Sequence, residues 1–164
     1  MFNIRNEIFE TNSSSSHALC MNKNDERNYH FYDTDDEDFI IFTMGEYGWY
    51  GDDCDSPQEK LNYLLTMVVC SLQANSEAEN SEVTVKEIIE SDDFKKIDEC
   101  IRSNTSYSGI CFPQDKYDYN DGYIDHQSMY SHIDDFLNDW NVSLEDYLFS
   151  DRYFVVIRND NESW

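Results

Sequence analysis

Two short segments of the chain hold the residue types from which a catalytic group is built. In Asn12-Ser13-Ser14-Ser15-Ser16-His17 a run of hydroxyls ends on an imidazole, the parts of a nucleophile and its base. Such a run can also hold a phosphate through hydroxyls and backbone amides, although the Gly and Lys of a P-loop are missing. Asp125-His126-Gln127-Ser128 supplies acid, imidazole and hydroxyl. Neighbours on a strand point to opposite faces, so these cannot form a triad among themselves. A site requires His126 to meet His17 or the serines Ser13, Ser14, Ser15 and Ser16 across the fold. Each segment has a plain structural reading beside the chemical one. The first is then a solvated loop with Thr11 and Asn12 bonding their own backbone, the second a histidine bonded to main chain.

The third chemistry is charge. The 164 residues carry 35 Asp and Glu against 11 Lys and Arg, a net charge of −24. A globule of this mass exposes about 8,500 Å², so one net charge falls on roughly every 350 Å². B-DNA has about 100 Å² of wall per charge, given one charge per ~1.7 Å of axis. Gathered on one face, the acids approach a duplex in charge density. Solubility needs a net charge of only ~2–8, and self-repulsion destabilises a compact chain. The surplus therefore points to a strongly basic partner, and basic clefts belong mostly to proteins that bind nucleic acid. Binding of DNA or RNA by this chain itself is excluded on the same ground. We expect the contact residues among Asp33, Asp35, Asp36, Glu37 and Asp38, and among Asp52, Asp53 and Asp55, with Tyr47, Trp49 and Tyr50 as aromatic anchors able to stack on arginine. Asp115, Asp118 and Asp121 form a second patch.

Metals and cofactors find little to hold them. Asp118-Tyr119-Asn120-Asp121-Gly122 misses the spacing of a calcium loop. The cysteines, Cys20, Cys54, Cys70, Cys100 and Cys111, are odd in number and lack knuckle spacing. A zinc site from Cys111 with His126 and His132 is the remaining arrangement, and no cofactor is expected. With no leader-like N-terminus and no apolar run of about 18 residues, free thiols in a reducing cytosol are the consistent reading.

An aromatic content of 15% is more than an acidic disordered tail carries, so a real core is expected. Residues 2–10 read as a strand, 11–17 as a loop and Ala18–Met21 as a second strand. Phe39–Phe42 reads as a buried strand and Tyr47–Asp55 as an acidic aromatic loop. Ser56, Pro57 and Glu59 compose a capping box with Pro at the first helical position. Leu61, Leu64, Leu65, Val68 and Leu72 then carry a central helix to about residue 73. Thr84 with Glu87 opens a short helix, Phe94, Ile97 and Ile101 outline another, and Tyr107–Phe112 reads as a strand. Tyr123–Asp125 returns to the core. Ile133, Phe136, Leu137 and Trp140 mark a helix, Ser143 with Asp146 caps a last short one, and Tyr153–Ile157 closes the chain as a central strand. The expectation is one α+β domain over residues 1–164, a roughly five-stranded, mainly antiparallel sheet packed with about four helices.

The segments Phe9-Glu10-Thr11-Asn12-Ser13-Ser14-Ser15-Ser16-His17 and Gly122-Tyr123-Ile124-Asp125-His126-Gln127-Ser128 resemble signatures of a family of small uncharacterised proteins from bacteriophages and mobile elements of low-GC Gram-positive bacteria. Tyr47-Gly48-Trp49 and Lys60-Leu61-Asn62-Tyr63-Leu64-Leu65-Thr66 fit the same family, so that about a third of the chain is covered in separate blocks. The resemblance implies a phage setting and no particular activity. In charge and size the chain is also similar to anti-CRISPR proteins that mimic nucleic acid. The leading expectation is a non-enzymatic inhibitor in the host cytoplasm, docked on the basic channel of a CRISPR effector or its guide-RNA complex, Cas9-type first. The rivals are a phage enzyme modifying a host protein or nucleotide through the serine run, His17 and His126, and an acidic regulator of another basic host protein.

Overall fold

The longest element begins where its caps place it. In the computed structural model, which describes residues 15–48, 51–75, 83–112, 122–125 and 129–159, helix α1 spans Pro57–Asn75. Glu59 Oε2 accepts the Ser56 N–H at 3.0 Å and Glu59 N–H donates back to Ser56 Oγ at 3.3 Å, the reciprocal pairing that satisfies two orphan amides of a helix start. Thirteen of its nineteen residues are buried. A helix covered on nearly every side must sit inside the protein, and the other described elements pack around α1.

Three of the other helices, α2, α3 and α5, also follow their caps. The Thr84–Glu87 box opens α2 (Val85–Glu90) and Ser91 caps α3 (Asp92–Asn104). Helix α4 is Ile133–Trp140, and Ser143 caps α5 (Leu144–Phe149) by accepting Asp146 N–H. Asn141 ends α4 in the left-handed conformation, φ 51°, which asparagine tolerates better than most residues.

Strands β1 (Ser15–Met21), β7 (Tyr153–Asn159) and β4 (Asp52–Cys54) form one antiparallel sheet with β7 central. Two short ladders are parallel: β2 (Phe39–Ile41) with β5 (Gly109–Cys111), and β3 (Glu46–Tyr47) with β6 (Tyr123–Ile124). The architecture is α+β as expected. It differs from one five-stranded sheet because the chain between β2 and β5, and between β3 and β6, crosses through helices; such a crossover returns a strand parallel to its start. The helices number five among the described residues. Strand β1 begins at Ser15, so Ser15, Ser16 and His17 are strand rather than loop, paired with Asn159, Arg158 and Ile157. Of the expected acidic loop 47–55, residues 52–54 are strand β4.

One face of α1 carries a polar stripe, buried at Gln58 and Thr66 and half-buried at Asn62. Gln58, Asn62 and Thr66, each four residues apart, hydrogen-bond the extended segment 41–45: Gln58 Nε2 donates to Ile41 O (3.0 Å), Thr43 N–H to Asn62 Oδ1 (3.2 Å) and Gly45 N–H to Thr66 Oγ1 (3.1 Å). Four helical residues advance about 6 Å and two extended residues about 6.6 Å. The two repeats match, so a helix side-chain stripe meets successive main-chain groups of this segment in register.

Candidate functional site: an acidic face and a buried polar tie

The acidic run 33–38 is an ordered tip, not a solvated tail. Asp35 N–H donates to Phe39 O (2.9 Å) and Ile41 N–H to Asp33 O (2.8 Å). Asp35 Oδ1 accepts the amides of Glu37 and Phe39, both at 2.9 Å, the local capture through which Asp favours turns. Asp38 turns the chain at φ 61°. Asp35, Asp36, Glu37 and Asp38 are exposed or nearly so, and Asp33 is half-buried at the base of the tip.

Three nearby groups are shifted by the charge of this tip or of the acids around the α1 start. Tyr32 is 62% exposed. Partial burial, then the Glu59 and Asp33 carboxylates, hold its phenol above the ordinary tyrosine value, against a hydrogen bond with Ser56. Cys54 is buried, and burial together with Asp52, Glu59, Asp53 and Asp55 pushes its thiol far up. Burial with Asp35 and Asp33 raises Cys111. Asp33 and Glu59 both act on Tyr32, and Glu59 acts with Asp52, Asp53 and Asp55 on Cys54.

Few counter-charges lie close to these acids in sequence, and Arg158 reaches them from the end of the chain. Between Arg27 and Lys60 the chain has ten Asp and Glu and no Lys or Arg. Arg158 pairs with Asp53 at 2.7 Å, and Lys60 points inward, donating from Nζ to Ser150 O at 2.7 Å. Residues 83–104 hold six acids and four cations, with Lys86–Glu90, Lys95–Asp92 and Arg102–Asp98 paired on the helices themselves and Lys96 reaching Asp134.

Among the expected anchors, Tyr47 is corrected. It is 7% exposed and packs edge-on against Tyr63, ring centroids 5.0 Å apart. Its place on β3, facing α1, sends the ring into the core, and burial drives its phenol far above the ordinary value. Trp49, Tyr50, Asp115, Asp118 and Asp121 lie outside the described residues, as do Ser13, Ser14 and His126. The aromatic residue that does stand among the acids is Tyr32. Its signal in the sequence is adjacency to Asp33, with no apolar periodicity around it.

The two chemistry-bearing segments do meet across the fold, through Asp125. Ser15 donates to Asp125 Oδ2 from its hydroxyl (2.8 Å) and from its backbone N–H (3.0 Å). Ser15 Oγ is 3.0 Å from His17 Nε2, and His17 Nδ1 is 3.0 Å from the Tyr63 hydroxyl. Ser15 is 5% and Asp125 3% exposed. Burial, opposed by Asp125, lowers the His17 pKa to about 4, so the ring is neutral at pH 7. The proton order follows from donor capacity. The carboxylate can only accept, which commits the Ser15 proton to Asp125. His17 Nε2 must then carry hydrogen and donate to Ser15 Oγ, and Nδ1 accepts from Tyr63. A serine nucleophile needs the reverse arrangement, an unprotonated imidazole nitrogen facing its hydroxyl.

Gly48 closes this group from the side. At φ +125°, a Cβ there would come within 2.8 Å of Ser15 Oγ and 3.2 Å of Asp125 Cβ. The arrangement is a buried polar tie joining the start of β1 to the end of β6 and to α1. Among the described residues, no group of three or more His, Cys, Asp or Glu is placed to hold a metal ion, and all five cysteines are free thiols. No helix among them is long and apolar enough to cross a membrane.

Fold and composition together define a class, an α+β protein built around one buried helix and carrying a large surplus of acids. No protein-family model matches the chain, nor does any curated protein or solved structure.

Proposed function

We propose that this protein is a phage-encoded, non-catalytic inhibitor that docks its acidic face on the basic nucleic-acid channel of a host CRISPR effector, a Cas9-type nuclease being the first target. The observation that carries the reading is the segregation of charge: ten acids without a cation between Arg27 and Lys60, several of them gathered around Tyr32 and Cys54. Such a channel binds a guide–target duplex through its backbone and reads the PAM through arginines. Carboxylates compete for the same guanidinium and ammonium groups. Tyr32 adds an exposed ring on which an arginine can stack between Asp33 and Glu59.

The test is target cleavage by guide-loaded Cas9 with increasing amounts of this protein, over a series of salt concentrations. Inhibition is expected, weakening steeply as salt rises because interface charges are screened. Replacing Asp33, Asp35, Asp36 and Asp38 by Asn and Glu37 by Gln keeps the turn's acceptors and removes five charges. Potency should then fall at least tenfold, about 1.4 kcal/mol. Unchanged potency removes the tip from the interface. Inertness toward Cas9, with capture of a different basic host protein from nuclease-treated lysate, replaces this target with the regulatory reading.

A further inference from the structure

A surface built from two acidic groups needs a part that fixes their relative position. We infer that Gln58 is the positioning residue of the acidic face, an inference that rests on the proposed docking reading for its functional consequence. Its carboxamide is fully buried and joins both sides of the acidic tip at their base. Oε1 accepts the Asp33 N–H (3.4 Å), and Nε2 donates to Ile41 O (3.0 Å) and to Asn62 Oδ1 (3.3 Å). Asp33 and Ile41 are themselves bonded to each other, Ile41 N–H to Asp33 O at 2.8 Å. One side chain therefore holds the closing pair of the tip.

Gln58 sits in the first turn of α1, beside Glu59 and three residues after Asp55. Through the Asp33 amide, Gln58 ties the base of the tip to the helix turn that carries Glu59. An apolar residue at position 58 fills the space equally well but leaves the Asp33 amide and the Ile41 carbonyl without this partner. A buried glutamine serves here through its two-sided amide, which accepts from one strand of the tip and donates to the other. Thr66, two steps along the same stripe, bonds Gly45 N–H and plays no part at the tip, which makes it the natural control.

The experiment compares Gln58→Met with Thr66→Val in the full chain. Tyr32 is titrated by NMR with ring-labelled tyrosine, and inhibition of Cas9 cleavage is measured beside it. Gln58→Met should bring the Tyr32 phenol back toward the ordinary tyrosine value and reduce potency about fivefold, the worth of roughly 1 kcal/mol. Thr66→Val should lower stability while leaving both readouts at wild type. If Gln58→Met does not fold, Gln58→Asn, too short to reach Asp33 and Ile41 together, carries the same expectation. An unmoved Tyr32 titration overturns the positioning role whatever the inhibition assay gives. A shifted Tyr32 with full potency, when neutralising residues 33–38 does abolish inhibition, overturns its functional consequence alone. If the wild type does not inhibit, the docking reading falls and Tyr32 by itself decides the role of Gln58.

Discussion

Gly48→Ala tests the buried tie more sharply than removal of any of its polar members. Gly48 lies at φ +125°, where an L side chain is strained by about 1–3 kcal/mol. The added methyl would stand 2.8 Å from Ser15 Oγ, an overlap that forces a shift worth another 1–2 kcal/mol or so. The single variant should therefore lose about 2–5 kcal/mol, a large part of the total stability of a domain. Ser15→Ala removes the hydroxyl held by Asp125 and leaves the His17 Nε2–H without its acceptor, at a cost of about 2–3 kcal/mol. In the double variant the nearest clashing atom is gone, leaving the backbone strain at position 48 and the 3.2 Å approach to Asp125 Cβ beside the lost hydrogen bonds. Its loss should fall short of the two single losses added together by about 1–2 kcal/mol, a coupling well above the ~0.5 kcal/mol scatter of independent sites. Urea unfolding followed by tyrosine and tryptophan fluorescence measures all four proteins. Additive losses would refute the contact between Gly48 and Ser15 and, with it, the packing of the tie.

Two further predictions concern pH. Burial holds His17 at about 4, below its ordinary 6.5, so between these values the unfolded chain binds the extra proton. Its contribution is complete above pH 6.5 and is lost as pH falls toward 4, by up to about 3 kcal/mol; His17→Gln should flatten that part of the stability curve, and parallel curves for the two proteins would contradict it. Lys60 is depressed to about 8 by burial, against Asp55 and Asp151. Its charged form is disfavoured in the folded state, so wild-type stability should gain up to about 3 kcal/mol relative to Lys60→Met between pH 8 and 10.5, read by denaturant midpoints at matched salt.

The helices are legible in the sequence because their signals are local. Ser56, Thr84 and Ser143 each stand three residues before an acid, and capping depends on residues within one turn. The sheet is less legible. A two-residue ladder such as Glu46–Tyr47 with Tyr123–Ile124 leaves no periodicity to read, and its parallel sense is set by the helices between. Tyr47 misleads for the same reason: an aromatic among glycines and acids looks exposed until a strand pairing turns it inward. The acids are legible in number but not in grouping, since nothing in Asp33 or Glu59 announces that they share Tyr32.

By itself, the sequence determined the charge, the helix starts and the presence of a core, all of which depend on composition or on residues a few positions apart. Tertiary structure alone decided that Ser15 meets Asp125 over 110 positions, with its proton directed away from His17. It alone decided that Gln58 fastens an acidic tip to a helix. Both outcomes turn on which buried donor faces which acceptor, and that pairing is settled only when distant segments give up water together.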